Sequence, residues 1–297
     1  MTASKTIKGV VPILITPFDA EGRIDTDSLE QLIDFNIEAG VHGLGVALGS
    51  EIFKLTEAER DLITGVVVNH VNGRVPVVIN SGASGTDIAV QYSRAAEVAG
   101  ADALMIIPPF FMPASAEEIA DYYRTIDKAV GIPIFLQDVV QAPVPPALAV
   151  RLADECENVS YIKVETLPIT DKVAGMHAAA ADKLTIFGGA GGSYFIEEMR
   201  RGSRGTMPFC SQPAAFVETW DRFQAGDEKG ARVVFDRSIM AVNRLGVQGN
   251  GLFFHLHKQL LVKLGVIRSA HVRSPTAAVD PITQREMTEL IDQVASS

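Results

Sequence analysis

The sequence predicts an α/β protein built as a (β/α)8 TIM barrel with a C-terminal helical extension. Three observations carry this. Eight short runs rich in Val, Ile and Leu alternate with longer segments of helical spacing. The runs lack polar alternation, as do strands buried on both faces of a parallel sheet. The chain has 297 residues, enough for a barrel of about 250 residues and an appendage.

The first run, Val10–Ile15, leads into Thr16-Pro17-Phe18-Asp19. A doubly wound open sheet would place a glycine-rich turn there, which argues for the barrel. Asp27–Ala39 has helical spacing, with Gly40 where a C-terminal cap belongs. The second run is Gly43–Leu48, and Thr56-Glu57-Ala58-Glu59 after it is a capping box that opens a helix. Val75–Asn80 is the third strand, followed by a helix over Thr86–Ala99 and a capping Gly100. Ala103–Ile107 is the fourth, and Ser115-Ala116-Glu117-Glu118 is a second capping box, opening a helix over Ser115–Val130. The remaining strands are Ile134–Leu136, Val159–Val164, Leu184–Phe187 and Gly205–Met207, with helices at Pro145–Ala153, Thr170–Ala181, Ser193–Arg201 and Pro213–Ala225. After Gly226 strand signals stop, and Asp227–Leu245, Leu252–Leu264 and Thr283–Val294 read as helices. No Pro/Gly/Ser linker intervenes. The expected organisation is therefore a barrel over residues 1–226 with an extension over 227–297 packed on it, as one structural unit.

Composition excludes several classes of function. Hydrophobic residues make up 47% and charged residues only 21%, whereas disorder needs low hydrophobicity and high charge. The net charge of −10 gives a surface that repels phosphate backbones, and no polybasic patch is present, so neither nucleic acid nor a membrane is an expected partner. Cys156 and Cys210 provide no disulfide framework and are expected as free buried thiols. The apolar run near the N-terminus is too short for a signal peptide, and a cytoplasmic location is expected.

Active sites of such barrels lie at the C-terminal ends of the strands. Along the sixth run, side-chain alternation puts Ile162 and Val164 on the helix-facing side and Tyr161, Lys163 and Glu165 on the inward side. Burial disfavours a charged amine, and a neutral amine is a nucleophile toward carbonyls. A buried Lys–Glu ion pair is the alternative. After the second run, Gly49 would let the backbone approach a ligand and Ser50 offers a hydroxyl and an N–H to a carboxylate; an ordinary βα turn is the alternative. Phe187-Gly188-Gly189-Ala190-Gly191-Gly192 precedes a helix, where this fold holds phosphates. Its spacing matches no phosphate-binding motif, which favours a backbone loop around the tail of a substrate. His255 and His257 are two apart and do not share a helix face, and no clustered Cys/His motif occurs, so no metal is expected. Cys210 suits packing. Phe110-Phe111-Met112-Pro113 is an apolar loop suited to closing over substrate or to a subunit contact.

Four motifs then carry a resemblance. Thr16-Pro17-Phe18 with Gly22-Arg23-Ile24-Asp25, Glu51…Leu55-Thr56…Glu59-Arg60, Tyr161-Ile162-Lys163 and Gly202-Ser203-Arg204-Gly205-Thr206-Met207 stand in the order found in the dihydrodipicolinate synthase / N-acetylneuraminate lyase family. The likeness runs over essentially the whole chain. It implies a barrel in which a lysine forms a Schiff base with the keto group of pyruvate or another 2-oxo acid, with no cofactor, in a homo-oligomer, expected as a tetramer through the Phe110–Pro113 loop.

The chain also departs from that pattern. Leu48-Gly49 replaces the family's Thr-Thr, Gln137-Asp138 replaces Tyr-Asn, Phe111 stands where synthases bring a Tyr, and Ala142 replaces an arginine. Gln137-Asp138, Lys163-Val164-Glu165-Thr166 and Ser50-Glu51 look like the 2-keto-3-deoxy-L-arabonate dehydratase branch. That resemblance implies Lys163 as the Schiff-base former, Glu165 as the proton-transferring carboxylate and Gln137 as an orienting group, with Gly49, Ser50, Gly189 and Met207 around the substrate. The expected activity is dehydration of a 2-keto-3-deoxy sugar acid. The alternatives are aldol cleavage to pyruvate and an aldehyde, a synthase-like condensation, and a catalytically silent barrel that binds a keto acid.

Overall fold

The computed structural model describes residues 6–249 and 251–295. Its eight strands are β1 (Gly9–Val10), β2 (Leu44–Val46), β3 (Val77–Asn80), β4 (Ala103–Ile106), β5 (Ile134–Asp138), β6 (Val159–Val164), β7 (Thr185–Gly188) and β8 (Gly205–Thr206). All ladders are parallel, in the order β1-β8-β7-β6-β5-β4-β3-β2. This is the (β/α)8 barrel expected from the alternating pattern. β4 has no exposed residue on either face, which is why its sequence is a continuous apolar run.

β1 is shorter than its run because Pro12 has no N–H to donate to the ladder. Its end meets the entry to β2. The His42 N–H donates to the Val10 carbonyl at 2.8 Å, and His42 Nδ1 accepts from the Val10 N–H at 3.2 Å. Gly9, at φ +83°, permits this approach, since a Cβ there would lie 2.6 Å from the His42 ring. β5 is longer than its apolar run. Gln137 and Asp138 remain in the strand because they pair in register with Lys163 and Val164.

Two compact units emerge. The first comprises residues up to Val11, His42–Ala47 and Pro76–Pro208, and holds every strand. Its helices are those the sequence predicts within a few residues: Thr86–Ala99, Ala116–Asp127, Pro146–Glu155, Ile169–Ala180 and Phe195–Met199. Ser115 and Glu118 form the expected capping box, and Gly100 caps its helix at φ 98°.

The second unit comprises Pro12–Val41, Leu48–Val75 and the chain from Phe209 onward. It holds helices Thr26–Glu38, Glu57–Val71 (opened by the Thr56/Glu59 capping box), Pro213–Gln224, Glu228–Val234, Met240–Gly246, Leu252–Lys263 and Pro281–Ala295. The single helix expected over Asp227–Leu245 is interrupted by a π-helical segment at Phe235–Ile239, which leaves both of those residues buried. The last helices close around Val242, Leu245, Leu252, Leu256, Leu260, Met287 and Ile291.

This unit also contains a buried ionic cluster. Lys258 Nζ lies 2.5 Å from Glu51 Oε1, and Lys54 Nζ lies 2.8 Å from Glu51 Oε2, with all three side chains almost fully buried. The Phe18 ring is flanked by Lys258 Nζ and the Arg273 guanidinium, each 4.3 Å from its centroid. Arg273 in turn pairs with Glu59 at 2.5 Å and donates to the Gly22 carbonyl. Two of the motifs that carry the family resemblance, around Phe18–Gly22 and Glu51–Glu59, are thus anchor points of the fold. Cys156 and Cys210 are both free and buried, and burial pushes each thiol up to about 12. No described helix is long and apolar enough to cross a membrane.

Candidate active site

The strand register of the first unit assembles the site. Gln137 on β5 pairs with Lys163 on β6, and Lys163 pairs with Phe187 on β7. Two positions lower on the same inward face, Tyr161 stacks on Phe135 with centroids 4.3 Å apart, and Phe187 packs edge-on to Phe135 at 5.4 Å. The Tyr161 hydroxyl accepts from the Ile7 N–H at 3.1 Å. Lys163 therefore stands on an aromatic floor, 5% exposed.

One step beyond the end of β6, Glu165 turns to the same face, as alternation predicts. Lys163 Nζ is 3.0 Å from Glu165 Oε1. The Gln137 side-chain amide donates to Glu165 Oε2 at 3.1 Å, and the Ala190 N–H donates to Oε1 at 3.2 Å. Ala190 adopts φ 48°, an uncommon conformation for a residue with a Cβ, and this aims its N–H at the carboxylate. Gly189 lies flat against the same side chain, and a Cβ there would come within 2.3 Å of Glu165 Cγ. The glycine-rich loop read as a holder for the substrate tail is thus in direct contact with Glu165. The other Gln137 atom, Oε1, is buried with no hydrogen-bond partner among the described residues, leaving an acceptor in the cluster.

Asp138, whose place the sequence marked only as part of a motif, supports Glu165 from the outer face of the sheet. It is fully buried. Its Oδ2 accepts from the N–H groups of Glu165 (3.2 Å) and Thr166 (3.1 Å) and from the Thr166 hydroxyl (2.8 Å). Its Oδ1 accepts from the Val144 N–H at 2.8 Å and from Lys172 Nζ at 2.6 Å. Successive residues of β5 thus hold one glutamate, Gln137 by its carboxylate and Asp138 by its backbone.

Glu198, on the short Phe195–Met199 helix, was not singled out from sequence. It is fully buried, and among the described residues neither of its oxygens has a hydrogen-bond partner. It lies against Gly188, where a Cβ would be 1.7 Å from Oε2. An acid within Phe-Ile-Glu-Glu-Met looks like one face of a surface helix, so the sequence carries no signal for its burial.

The structure brings Lys163, Glu165, Gln137 and Gly189 into one cluster, and it sets Met207, 2% exposed, with its N–H on the Gly188 carbonyl at 3.0 Å. Gly49 and Ser50 belong to the second unit. The buried Ser50 hydroxyl donates to the Leu14 carbonyl, and the Thr16 hydroxyl donates to the Ser50 carbonyl at 2.5 Å. Ile13 and Phe209 crowd Gly49 so closely that a Cβ would meet each at 3.1 Å.

Chemically, the cluster joins a buried amine to a carboxylate whose position is fixed by an amide, a backbone N–H and a loop. It can form an imine with a carbonyl and move a proton next to it.

Known proteins share this arrangement of strands. Residues 6–294 match the Dihydrodipicolinate synthetase family. The chain is 28% identical over 297 residues to the L-2-keto-3-deoxyarabonate dehydratase of Azospirillum brasilense, covering 97% of this chain and 95% of that one. It is 30% identical to the 4-hydroxy-tetrahydrodipicolinate synthase of Pseudomonas aeruginosa, covering 88% of this chain and 91% of that one. Among solved structures, a prophage protein of the dihydrodipicolinic acid synthase family from E. coli K12, in complex with pyruvate, superposes with a TM-score of 0.90 at 25% identity, covering 98% of this chain and 99% of that one. A match of this extent, in sequence and in fold, establishes that the chain belongs to the dihydrodipicolinate synthetase family and is a lyase of that family.

Proposed function

We propose that the protein dehydrates a 2-keto-3-deoxy sugar acid through an imine on Lys163. The observation that carries this is the contact of Lys163 Nζ with Glu165 Oε1 at 3.0 Å, with Gln137 on the other carboxylate oxygen. Lys163 passes a proton to Glu165 and adds to the C2 carbonyl of the substrate; Glu165 returns that proton to the carbinolamine hydroxyl, which leaves as water, and the protonated imine remains. Glu165 takes a proton from C3, and the electron pair becomes the enamine double bond. The enamine then expels the C4 hydroxyl, which leaves as water with the proton that Glu165 returns. Hydrolysis of the unsaturated imine frees Lys163 and releases an unsaturated 2-oxo acid, so one water is lost overall.

Two facts support dehydration over carbon–carbon cleavage. Retro-aldol chemistry needs a base for the C4 hydroxyl, and the Gln137 amide beside Glu165 cannot take a proton. The similarity to the Azospirillum dehydratase also spans nearly all of both chains. Cleavage to pyruvate and an aldehyde is the second reading, since a lysine imine serves both reactions.

Borohydride reduction in the presence of pyruvate is expected to add the reduced pyruvate mass to the peptide holding Lys163. An adduct on another lysine, or none, refutes the imine. Incubation with 2-keto-3-deoxy acids is then expected to give a product lighter by one water. Stoichiometric pyruvate release transfers the assignment to aldol cleavage.

A further inference from the structure

Two carboxyl groups press on two consecutive glycines from opposite sides. At Gly188 a Cβ would lie 1.7 Å from Glu198 Oε2, and at Gly189 a Cβ would lie 2.3 Å from Glu165 Cγ. Gly188 pairs with Val164, on the helix-facing side of the sheet, whereas Gly189 follows it toward the Glu165 side. Only the backbone of this dipeptide separates the acids. Any other residue at either position would force a carboxyl away, so the glycines fit the two acids as well as the turn.

The acids differ in what surrounds them. Glu165 receives three donors, from Lys163, Gln137 and Ala190. Among the described residues Glu198 receives none at either oxygen, although it is completely buried. Thr206, in register with Gly188, is also buried, and its hydroxyl has no partner, so it does not donate to Glu198. A buried carboxylate without a donor beside another carboxylate is far costlier than a buried carboxylic acid. The charged groups acting on Glu198 are Glu165 and Glu197, which oppose its ionisation, and Lys163, which favours it. Burial and the first two win, and the Glu198 carboxyl is pushed up to about 8.

We propose that Glu198 is a positioning residue of the active site: a neutral carboxylic acid that backs Glu165 across Gly188–Gly189 and leaves Glu165 as the one negative charge beside Lys163. A second negative charge behind Glu165 would attract the proton of Lys163 and so oppose the neutral amine that must add to a carbonyl. Ionisation of Glu198 thus shuts the site down as the medium turns alkaline. This rests on the Lys163–Glu165 reading above.

The test has two independent readouts. In infrared spectra the wild-type protein should show the carbonyl stretch of a buried carboxylic acid at pH 7, lost on raising the pH through about 8, the value at which Glu198 ionises. Glu198→Gln should lack the band. In Glu165→Gln the band should persist but titrate at lower pH, because the neighbouring charge is gone; this arm does not depend on a Glu198 variant folding. For turnover, the alkaline limb of kcat/KM, normalised to each enzyme's own maximum, should move up by about 1 pH unit or more in Glu198→Gln. No titrating band in the wild type, an unshifted band in Glu165→Gln, or superimposable pH profiles of folded wild type and Glu198→Gln would each overturn the proposal. The infrared arm needs no substrate, so it decides the state of Glu198 even if borohydride trapping at Lys163 fails.

Discussion

Asp138 holds Glu165 by its peptide rather than by its side chain. The buried Asp138 carboxylate accepts from the Glu165 N–H at 3.2 Å and from the Thr166 N–H at 3.1 Å, while Lys172 neutralises it at 2.6 Å. The end of β6 is thereby fixed to the end of β5, and this clamp leaves the Glu165 oxygens to Lys163, Gln137 and Ala190. Asp138→Ala should therefore lower kcat on the keto-deoxy substrate by about 10²-fold, the loss typical of an ångström-scale misplacement. Pyruvate trapping at Lys163 should persist, because the amine itself is untouched. An Asp138→Ala enzyme of wild-type kcat would show that the clamp does not position Glu165.

Glu165→Gln keeps the shape of the side chain and removes the base. Turnover should fall by about 10²–10⁴-fold, the usual contribution of a positioned proton-transfer group. Borohydride in the presence of pyruvate should still label Lys163. Mass spectrometry of the labelled peptide beside a turnover assay separates the two functions, and near wild-type turnover would remove Glu165 from the proposed role.

Lys258 is buried against Glu51 at 2.5 Å and against the Phe18 ring. Burial pulls its ammonium down to about 8, against the pull of Glu51 in the other direction. Lys258→Met fills the space but takes one counter-charge from a buried carboxylate, and breaking such a pair costs about 3–5 kcal/mol. Urea unfolding should show a loss of this size. A loss below about 1 kcal/mol would mean that Lys54 alone satisfies Glu51.

His257 is buried and bonded to the Ser211 hydroxyl at 2.7 Å, and burial lowers its imidazole to about 3. Unfolding returns it to the ordinary range near 6.5. Between those values the unfolded chain binds a proton that the folded one refuses. This contribution to stability is complete above about 6.5 and is lost as the pH falls toward 3, at up to about 1.4 kcal/mol per pH unit. Denaturation series from pH 7 to pH 4 should show a shallower fall in stability for His257→Gln than for the wild type. Parallel slopes would argue that His257 is not the group responsible.

The loop after β4 exposes Phe110, Phe111 and Met112, with Phe111 79% and Met112 69% accessible. Leaving such side chains in water forfeits about 25 cal/mol per Å² of apolar surface. Light scattering should report a homo-oligomer, expected as a tetramer, and Phe111→Asp should shift it toward smaller species. A stable wild-type monomer of 31.8 kDa would exclude the contact.

The sequence by itself determined what depends on short-range order. Side-chain alternation in Val159–Val164 put Lys163 and Glu165 on one face, and that strand is found with the same bounds. The Thr56/Glu59 and Ser115/Glu118 capping boxes marked helix starts that the structure reproduces, because those bonds close within four residues. Tertiary structure decided what depends on register between distant segments. Gln137 and Asp138 break an apolar run, yet they stay in a strand because β6 supplies their partners. Glu198 reads as a surface acid, yet it is buried because Gly188, ten residues earlier on another element, leaves room for its carboxyl. A local pattern encodes which side of its own element a residue faces, but not what stands on that side, because the chain that fills the space comes from elsewhere in the fold.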